Sequence, residues 1–316
     1  MKRNFTVCAI LAAAMILIPL AAMKQGETKV VSDIDDPVTT DGYISVMKTE
    51  NGKVEELDER EYLIGALAAE MDITCHDEAL KAQVIACYTY VLYTRENGSS
   101  DDLNGADISD SPQTHQGYLN EEQRKKKWGE KFEEYEKKAG EIVDSVSGQA
   151  VYYEEKPIMA VYHDLNSGKT QSASTVWKKD VPYLIEVESP GDKLSTAYSS
   201  EVSFTYDEFE KMIKKIDGVT LDKDKEKWIG DVKKNGDYVE SVEVCGNKIS
   251  SVDFRTALDL KSCCFKINSD EDGITVETLG NGHLVGMSQY GADYMSRQGA
   301  DYREILTHYY PGTKIQ

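Results

Sequence analysis

Basic residues are scarce in this chain. Lysine and arginine number 36 against 56 aspartates and glutamates, a formal net charge of −20 over 316 residues. That balance argues against nucleic acid as a partner, because a phosphate backbone is repelled. Cysteine is sparse as well. The six cysteines, at 8, 75, 87, 245, 263 and 264, are too few and too scattered for a disulfide framework. No Cys-x-x-Cys occurs, which argues against a zinc knuckle or a dithiol redox motif. Outside Cys8 the count is odd, so at least one is unpaired within the chain; the five read as buried small hydrophobes. No internal repeat and no strand–helix–strand rhythm is visible, so the mixed elements read as α+β.

At 40% hydrophobic and 29% charged, the chain is globular, with length for one large domain or two small ones. Its start is a targeting segment. Lys2 and Arg3 precede eighteen uncharged residues, 6–23. Spanning a bilayer takes about 20 apolar residues, so the run sits near the lower limit. A cleaved signal peptide and an uncleaved anchor both fit. The anchor is favoured, because Pro19-Leu20-Ala21-Ala22-Met23 is a mediocre cleavage site. The two basic residues keep the N-terminus inside, so residues 24–316 are expected outside the membrane. Removing residues 1–23 takes two bases and no acid from 36 and 56, leaving a net of −22. Residues 24–41 have no helical or strand period and read as a polar tether, leaving 42–316 as one large region.

Residues 42–54 form a hairpin pattern around Asn51-Gly52. Helical periods follow over 61–71 and over 78–95, the second capped by Asp77, with Leu80, Val84, Cys87, Tyr88 and Val91 on one stripe. A polar loop runs to about Gly117. One charged helix is expected over 121–143, with Trp128, Phe132, Tyr135 and Ala139 inward and its charges on a solvated face. Strands are expected at 150–155, 157–165, 181–189, 237–245, 248–254, 263–268 and 273–280. Helices are expected at 206–216, 254–260 and 302–310, the last stopped by Pro311-Gly312.

Three places carry unusual chemistry. Leu63, Leu67 and Glu70 fall at i, i+4 and i+7, so a carboxyl shares a helix's apolar face. Burial favours the protonated form, which a general acid needs. A carboxylate paired to a buried base, or lying at the end of the face, fits the period equally well. Second, residues 280–291 hold four glycines around His283, Ser288, Gln289 and Tyr290. Glycines let backbone approach a ligand or turn sharply. This stretch has no Gly-Lys-Ser/Thr for phosphate, and the spacing around Ser288 is not that of a nucleophile elbow. A Ser288–His283 hydrolase is therefore disfavoured, and a structural turn opening a helix is the plain alternative. Third, Asn166-Ser167-Gly168-Lys169-Thr170 resembles a phosphate-loop fragment, but His163 stands where the upstream glycine is required. It reads as a polar loop leaving a strand.

Together these stretches resemble one family. Glu70-Met71 and Glu78-Ala79-Leu80-Lys81-Ala82-Gln83 are similar to a stretch of the stage II sporulation protein D family. So are His163, Ser167-Gly168-Lys169-Thr170, Val176-Trp177, Val181-Pro182-Tyr183-Leu184 and Phe254-Arg255. Gly282-His283, Val285 to Ala292, and the terminal Tyr302 to Thr313 segment complete a resemblance over 42–316 in one order. It implies a membrane-anchored lytic transglycosylase of the bacterial wall, with a substrate groove, acting outside the cytoplasm in the space between two membranes during engulfment. Its implied substrate is peptidoglycan glycan strands stripped of peptides. The implied partners are a cell-wall amidase of the stage II sporulation protein P type and a membrane component of the engulfment complex. The catalytic acid it implies is Glu70, with Lys81, Gln83, His163, Ser167, His283, Ser288, Gln289 and Tyr290 toward substrate. Lys81 reads equally as a surface residue.

Some departures stand out. Tyr88 replaces an arginine usual in the family, and Leu284 a glycine. Some members bind zinc in the loop before the charged helix; here residues 109–116 keep His115 and no cysteine, so no metal and no other cofactor is expected. The departures keep a second class open, a non-catalytic glycan-binding protein that stimulates an amidase.

Overall fold

The computed structural model describes residues 42–97 and 103–316. The membrane segment and tether expected over 1–41 lie outside the described residues. Among the described residues no helix is long and apolar enough to cross a membrane. By contacts the described residues form two compact units. The first comprises the described residues up to Val161 with Ser296–Thr307 and Gly312–Gln316; the second is Tyr162–Met295 with His308–Pro311. Both mix helices with short, largely antiparallel sheets, as the α+β reading expects.

In the first unit, β1 (Tyr43–Met47) and β2 (Val54–Asp58) form the expected hairpin. Its turn closes on the Lys48 carbonyl, which accepts from Gly52 N at 2.7 Å. Helix α1 (Glu59–Glu70) starts because the Asp58 carboxylate accepts from Glu61 N. Helix α2 (Asp77–Asn97) begins one residue earlier than expected: the His76 carbonyl accepts from Ala79 and Leu80, and Asp77 instead pairs with Lys138 at 3.0 Å. All five residues of the expected α2 stripe are buried. Strand β3 (Ile108–Ser109) lies parallel to β1.

The single helix expected over 121–143 is two, α3 (Glu121–Trp128) and α4 (Phe132–Ser145). Gly129 breaks it, with φ of 55° ending α3 in a conformation that glycine adopts without strain. The break lets Trp128 meet Tyr135 edge-on, with ring centroids 6.0 Å apart. One charge of this run is not on a solvated face. Arg124 is 1% exposed and donates to both Glu136 oxygens, to the Leu119 carbonyl, and to Glu61 at 2.9 Å. A buried guanidinium is stable only when its fork is filled in this way. Strands β4 (Val151–Tyr153) and β5 (Lys156–Pro157) complete a small sheet with the terminal strand Lys314–Ile315.

The second unit opens with β6 (Tyr162–His163) and the short helix α5 (Ala173–Trp177). Residues 181–189, expected as a strand, form none. Pro182 lacks a donor, and the Thr170 side chain takes ladder positions: its hydroxyl donates to Ile185 O at 3.1 Å and accepts from Val187 N at 2.9 Å. Strand β7 (Ser199–Thr205), helix α6 (Tyr206–Ile213), strands β8 (Ile229–Asn235), β9 (Tyr238–Val244) and β10 (Asn247–Ser250), helix α7 (Ser251–Leu258), and strands β11 (Phe265–Ser269) and β12 (Gly273–Leu279) build two three-stranded sheets. Phe209, Trp228, Phe254 and Phe265 close their shared core. Strand β13 (Met287–Ser288) then runs parallel to β6, placing Ser288 opposite His163, and helix α8 (Gln289–Arg297) follows.

Candidate active site

Glu70 is the last residue of α1. Leu63 and Leu67 are buried beneath the same stripe, but the helix stops where the stripe reaches Glu70, which is half-buried. Met71 turns to extended backbone, and its N–H bonds back to the Leu67 carbonyl at 3.0 Å. α1 has no basic residue in its own last turn; Lys127 of α3 supplies one, donating to the Ala68 carbonyl at 2.6 Å. The Glu70 carboxyl accepts a hydrogen bond from Gly117 N–H. A Cβ at 117 would lie 3.0 Å from Glu70 Oε1 and 3.0 Å from Ala69 Cβ, so glycine is what admits this approach.

The segment carrying Gly117 lies across α1. Gln116 reaches Tyr62 and Cys87, Tyr118 stacks on Tyr62 with centroids 5.7 Å apart, and Leu119 N–H donates to the Gly65 carbonyl at 3.1 Å. Upstream, His115 Nδ1 bonds the Ser109 hydroxyl at 2.8 Å. Among the described residues no group of three or more His, Cys, Asp and Glu side chains is placed to hold a metal ion. Lys81 pairs with Glu78 at 2.7 Å, and the other Glu78 oxygen accepts the Tyr302 N–H. Gln83 is fully buried and donates to Cys87 Sγ. Both side chains thus have internal partners.

The other six expected residues lie in the second unit. His163 and His283 meet edge-on with centroids 5.8 Å apart, and His283 tilts against Trp177 at 5.4 Å. His163 is buried, and His283 and Trp177 are mostly buried with part of each ring reaching the surface. Ser288 is a cap and not a nucleophile. Its hydroxyl donates to Asp192 Oδ1 at 2.6 Å and accepts from Gly291 N at 3.1 Å, in the first turn of α8. His283 Nδ1 accepts from Val285 N–H, and the ring also bonds the Tyr162 backbone. A Ser288–His283 pair is therefore not assembled, and the structural reading of this stretch is the one observed. Gln289 and Tyr290 open α8 half-exposed, with Tyr290 N–H held by the Asp164 carbonyl at 3.0 Å. Ser167 is buried beside Cys264, whose thiol burial pushes up to about 12. The phosphate-loop fragment is a turn in which Asn166 Oδ1 accepts Gly168 N–H.

Sequence reasoning missed Gly117, Gln116 and Asp192. Asp192 is fully buried, and burial raises its carboxyl against the bonds from Ser189, Ser288 and Asn166 N–H. Nothing in its local pattern marks it. Trp177 stands in a quoted motif but was not singled out for a role.

Three imidazoles are held neutral. Burial lowers His115 to about 4 and His283 to about 4, the latter also through Arg255; burial and the neighbouring His283 lower His163 to about 3. Unfolded histidine titrates near 6.5, so below that pH the unfolded chain binds more protons than the folded one. Their contribution is therefore complete above pH ~6.5 and is lost as pH falls toward the folded values. Each costs up to about 1.4 kcal/mol per pH unit over that range. Asp192 acts oppositely, since a raised carboxyl stabilises below its ordinary pKa and is lost as pH rises. Urea unfolding between pH 7.5 and 5 should show stability falling from about pH 6.5. A flat profile means these rings accept protons in the folded protein.

Residues 47–153 match the profile of the stage II sporulation protein family, SpoIID. The chain is 35% identical over 275 residues to stage II sporulation protein D of Bacillus subtilis (strain 168), covering 86% of this chain and 78% of that protein. It is equally 35% identical over 274 residues to the protein of that name from Bacillus amyloliquefaciens, covering 86% and 78%. A more distant likeness, 26% over 305 residues, is to the amidase enhancer of Bacillus subtilis (strain 168), with 80% of this chain and 40% of that protein covered. The chain belongs to the stage II sporulation protein D family.

Proposed function

We propose that this chain is a lytic transglycosylase of peptidoglycan that acts in sporulation, with Glu70 as both acid and base. The observation that carries the reading is the half-buried Glu70 carboxyl at the end of α1, with one oxygen fixed by Gly117 N–H. Ordinary glycosidases need two carboxyl groups. A transglycosylase works with one. Glu70 protonates the glycosidic oxygen between muramic acid and glucosamine as the C1–O bond breaks. The resulting carboxylate takes the proton of the same muramic residue's 6-hydroxyl as its oxygen bonds C1. The acid is regenerated, and the product end is a 1,6-anhydro ring. Because the nucleophile is internal, its effective concentration is high and no water is positioned.

His283, Gln289, Tyr290 and Trp177 are proposed to bind sugar by stacking and hydrogen bonding, and His163, Ser167 and Ser288 to shape the surface they stand on. Mass spectrometry of purified glycan strands after incubation with the protein tests the reaction. Anhydro ends, about 18 Da lighter than hydrolysed ends because one water is not added, are the expected product. Ends that are all reducing would mean hydrolysis.

The similarity to an amidase enhancer, together with Tyr88 in place of an arginine, favours one second reading: a glycan-binding protein that stimulates an amidase. Release of no fragments, with binding and a faster amidase, would establish it. We further propose that residues 6–23 anchor the protein in the cell membrane with the rest outside. Fractionation should then place it in the pellet, released by detergent and not by salt. A soluble form beginning near Lys24 would show cleavage.

A further inference from the structure

We propose that Gln116 is a positioning residue that fixes the Gly117 N–H on the Glu70 carboxyl; the inference rests on the reading of Glu70 as the acid. Gln116 is 1% exposed. Its Nε2 donates to the Tyr62 hydroxyl at 3.0 Å and to the Cys87 carbonyl at 3.1 Å. The first acceptor is on α1, the helix that ends in Glu70, and the second is on α2. One planar amide thus joins two helices, and turning it would leave a buried donor without a partner.

The N–H that meets Glu70 belongs to the peptide unit between residues 116 and 117. Seating the Gln116 side chain anchors the Cα from which that peptide departs, and so the origin of the N–H that meets Glu70. Flanking attachments hold the segment on either side. Ser109 holds His115 upstream; downstream, Tyr118 stacks on Tyr62 and Arg124 donates to the Leu119 carbonyl at 2.9 Å. With Gln116 in place the donor arrives at a carboxyl that α1 presents from its last residue, and both ends of the hydrogen bond are tied to the same helix. A carboxyl that gives and then retakes a proton must hold one orientation through both steps, and a displacement of about 1 Å can cost about 10²-fold in rate.

The full chain, solubilised in detergent, is the material for the test. Gln116→Met keeps the volume and removes both donors. It should lower kcat for anhydro-end release about 10- to 100-fold with KM unchanged within about twofold. In a Glu70→Gln background the same change should add nothing further, because a residue that acts through Glu70 has nothing left to act on. The Gly117 amide resonance, in protein labelled with 15N-glycine, should move in Glu70→Gln and in Tyr62→Phe, neither of which neighbours it in sequence. Should Gln116→Met fail to fold, Tyr62→Phe, which removes one acceptor, should give a smaller fall in kcat with the same unchanged KM. The proposal is overturned if Tyr62→Phe, which removes an acceptor of the Gln116 amide, leaves the Gly117 resonance where it was. An equal further loss in the Glu70→Gln background would overturn it as well. A wild type that releases no anhydro ends, in a protein whose Gly117 resonance does respond to Tyr62→Phe, leaves the positioning intact and sinks the transglycosylase reading instead.

Discussion

Glu70→Gln should reduce release of anhydro ends by about 10²–10⁴-fold or more while leaving glycan binding in place. Glutamine has the volume of glutamate, and its carbonyl oxygen can still accept the Gly117 N–H, so the local fold should hold. What is lost is a proton that can be given and retaken, and general acid–base catalysis is worth about that range. Binding should persist because the rings and polar groups of residues 163–177 and 283–290 are untouched. The comparison must follow kcat and KM separately, since a residue acting only in the transition state lowers kcat and leaves KM in place. Release at the wild-type rate by Glu70→Gln would remove Glu70 from the mechanism whatever the family resemblance implies. A fall in binding equal to the fall in rate would make it a ligand contact and not the acid.

The helical period that marked Glu70 is a local property, and for that reason it could be read. Leu63 and Leu67 point where the period says, and the carboxyl stands on the same stripe. That the stripe ends there was not legible, because helix termination depends on Met71 turning extended and on Lys127 arriving from another helix. Gly117 illustrates the same limit more sharply. A lone glycine in a polar loop has no period, and its role exists only once 47 residues of chain have folded back to place its N–H on Glu70. Strands β7 and β8 escaped notice for a different reason. Both are edge strands whose side chains are mostly exposed, so they lack the alternation that betrays a half-buried strand. The strand expected at 181–189 failed the other way: its apolar run is real, but a threonine hydroxyl intercepts its backbone. The glycines around Ser288 were visible, and their purpose was not, since Asp192, which organises them, is distant in sequence and unmarked by any pattern.

Gly291→Ala should destabilise the protein by about 4 kcal/mol. A Cβ at 291 would lie 2.0 Å from the Tyr309 hydroxyl, 2.4 Å from Ser189 Oγ and 2.8 Å from Asp192 Oδ2. These three groups form one chain of hydrogen bonds: Tyr309 and Ser189 are 2.6 Å apart, and the Ser189 hydroxyl donates to Asp192. Asp192 in turn accepts from Ser288 at 2.6 Å and from Asn166 N at 2.8 Å. Overpacking costs about 1–3 kcal/mol. Parting a buried carboxyl from its donors adds about 1–3 kcal/mol for each group left unsatisfied. At roughly 2–4 °C per kcal/mol, the melting temperature should fall by about 10 °C. Tyr309→Phe in the Gly291→Ala background should recover part of the loss, because it removes the atom that the new methyl meets first. A melting temperature within about 2 °C of wild type would mean that the network yields without cost. Activity supplies an independent check. Ser288 caps α8, whose first turn presents Gln289 and Tyr290, so a shift of this network should raise KM for glycan strands while Glu70, on α1, keeps its kcat. A fall in kcat with KM unchanged would break the proposed division between residues that hold the sugar and the one that moves the proton.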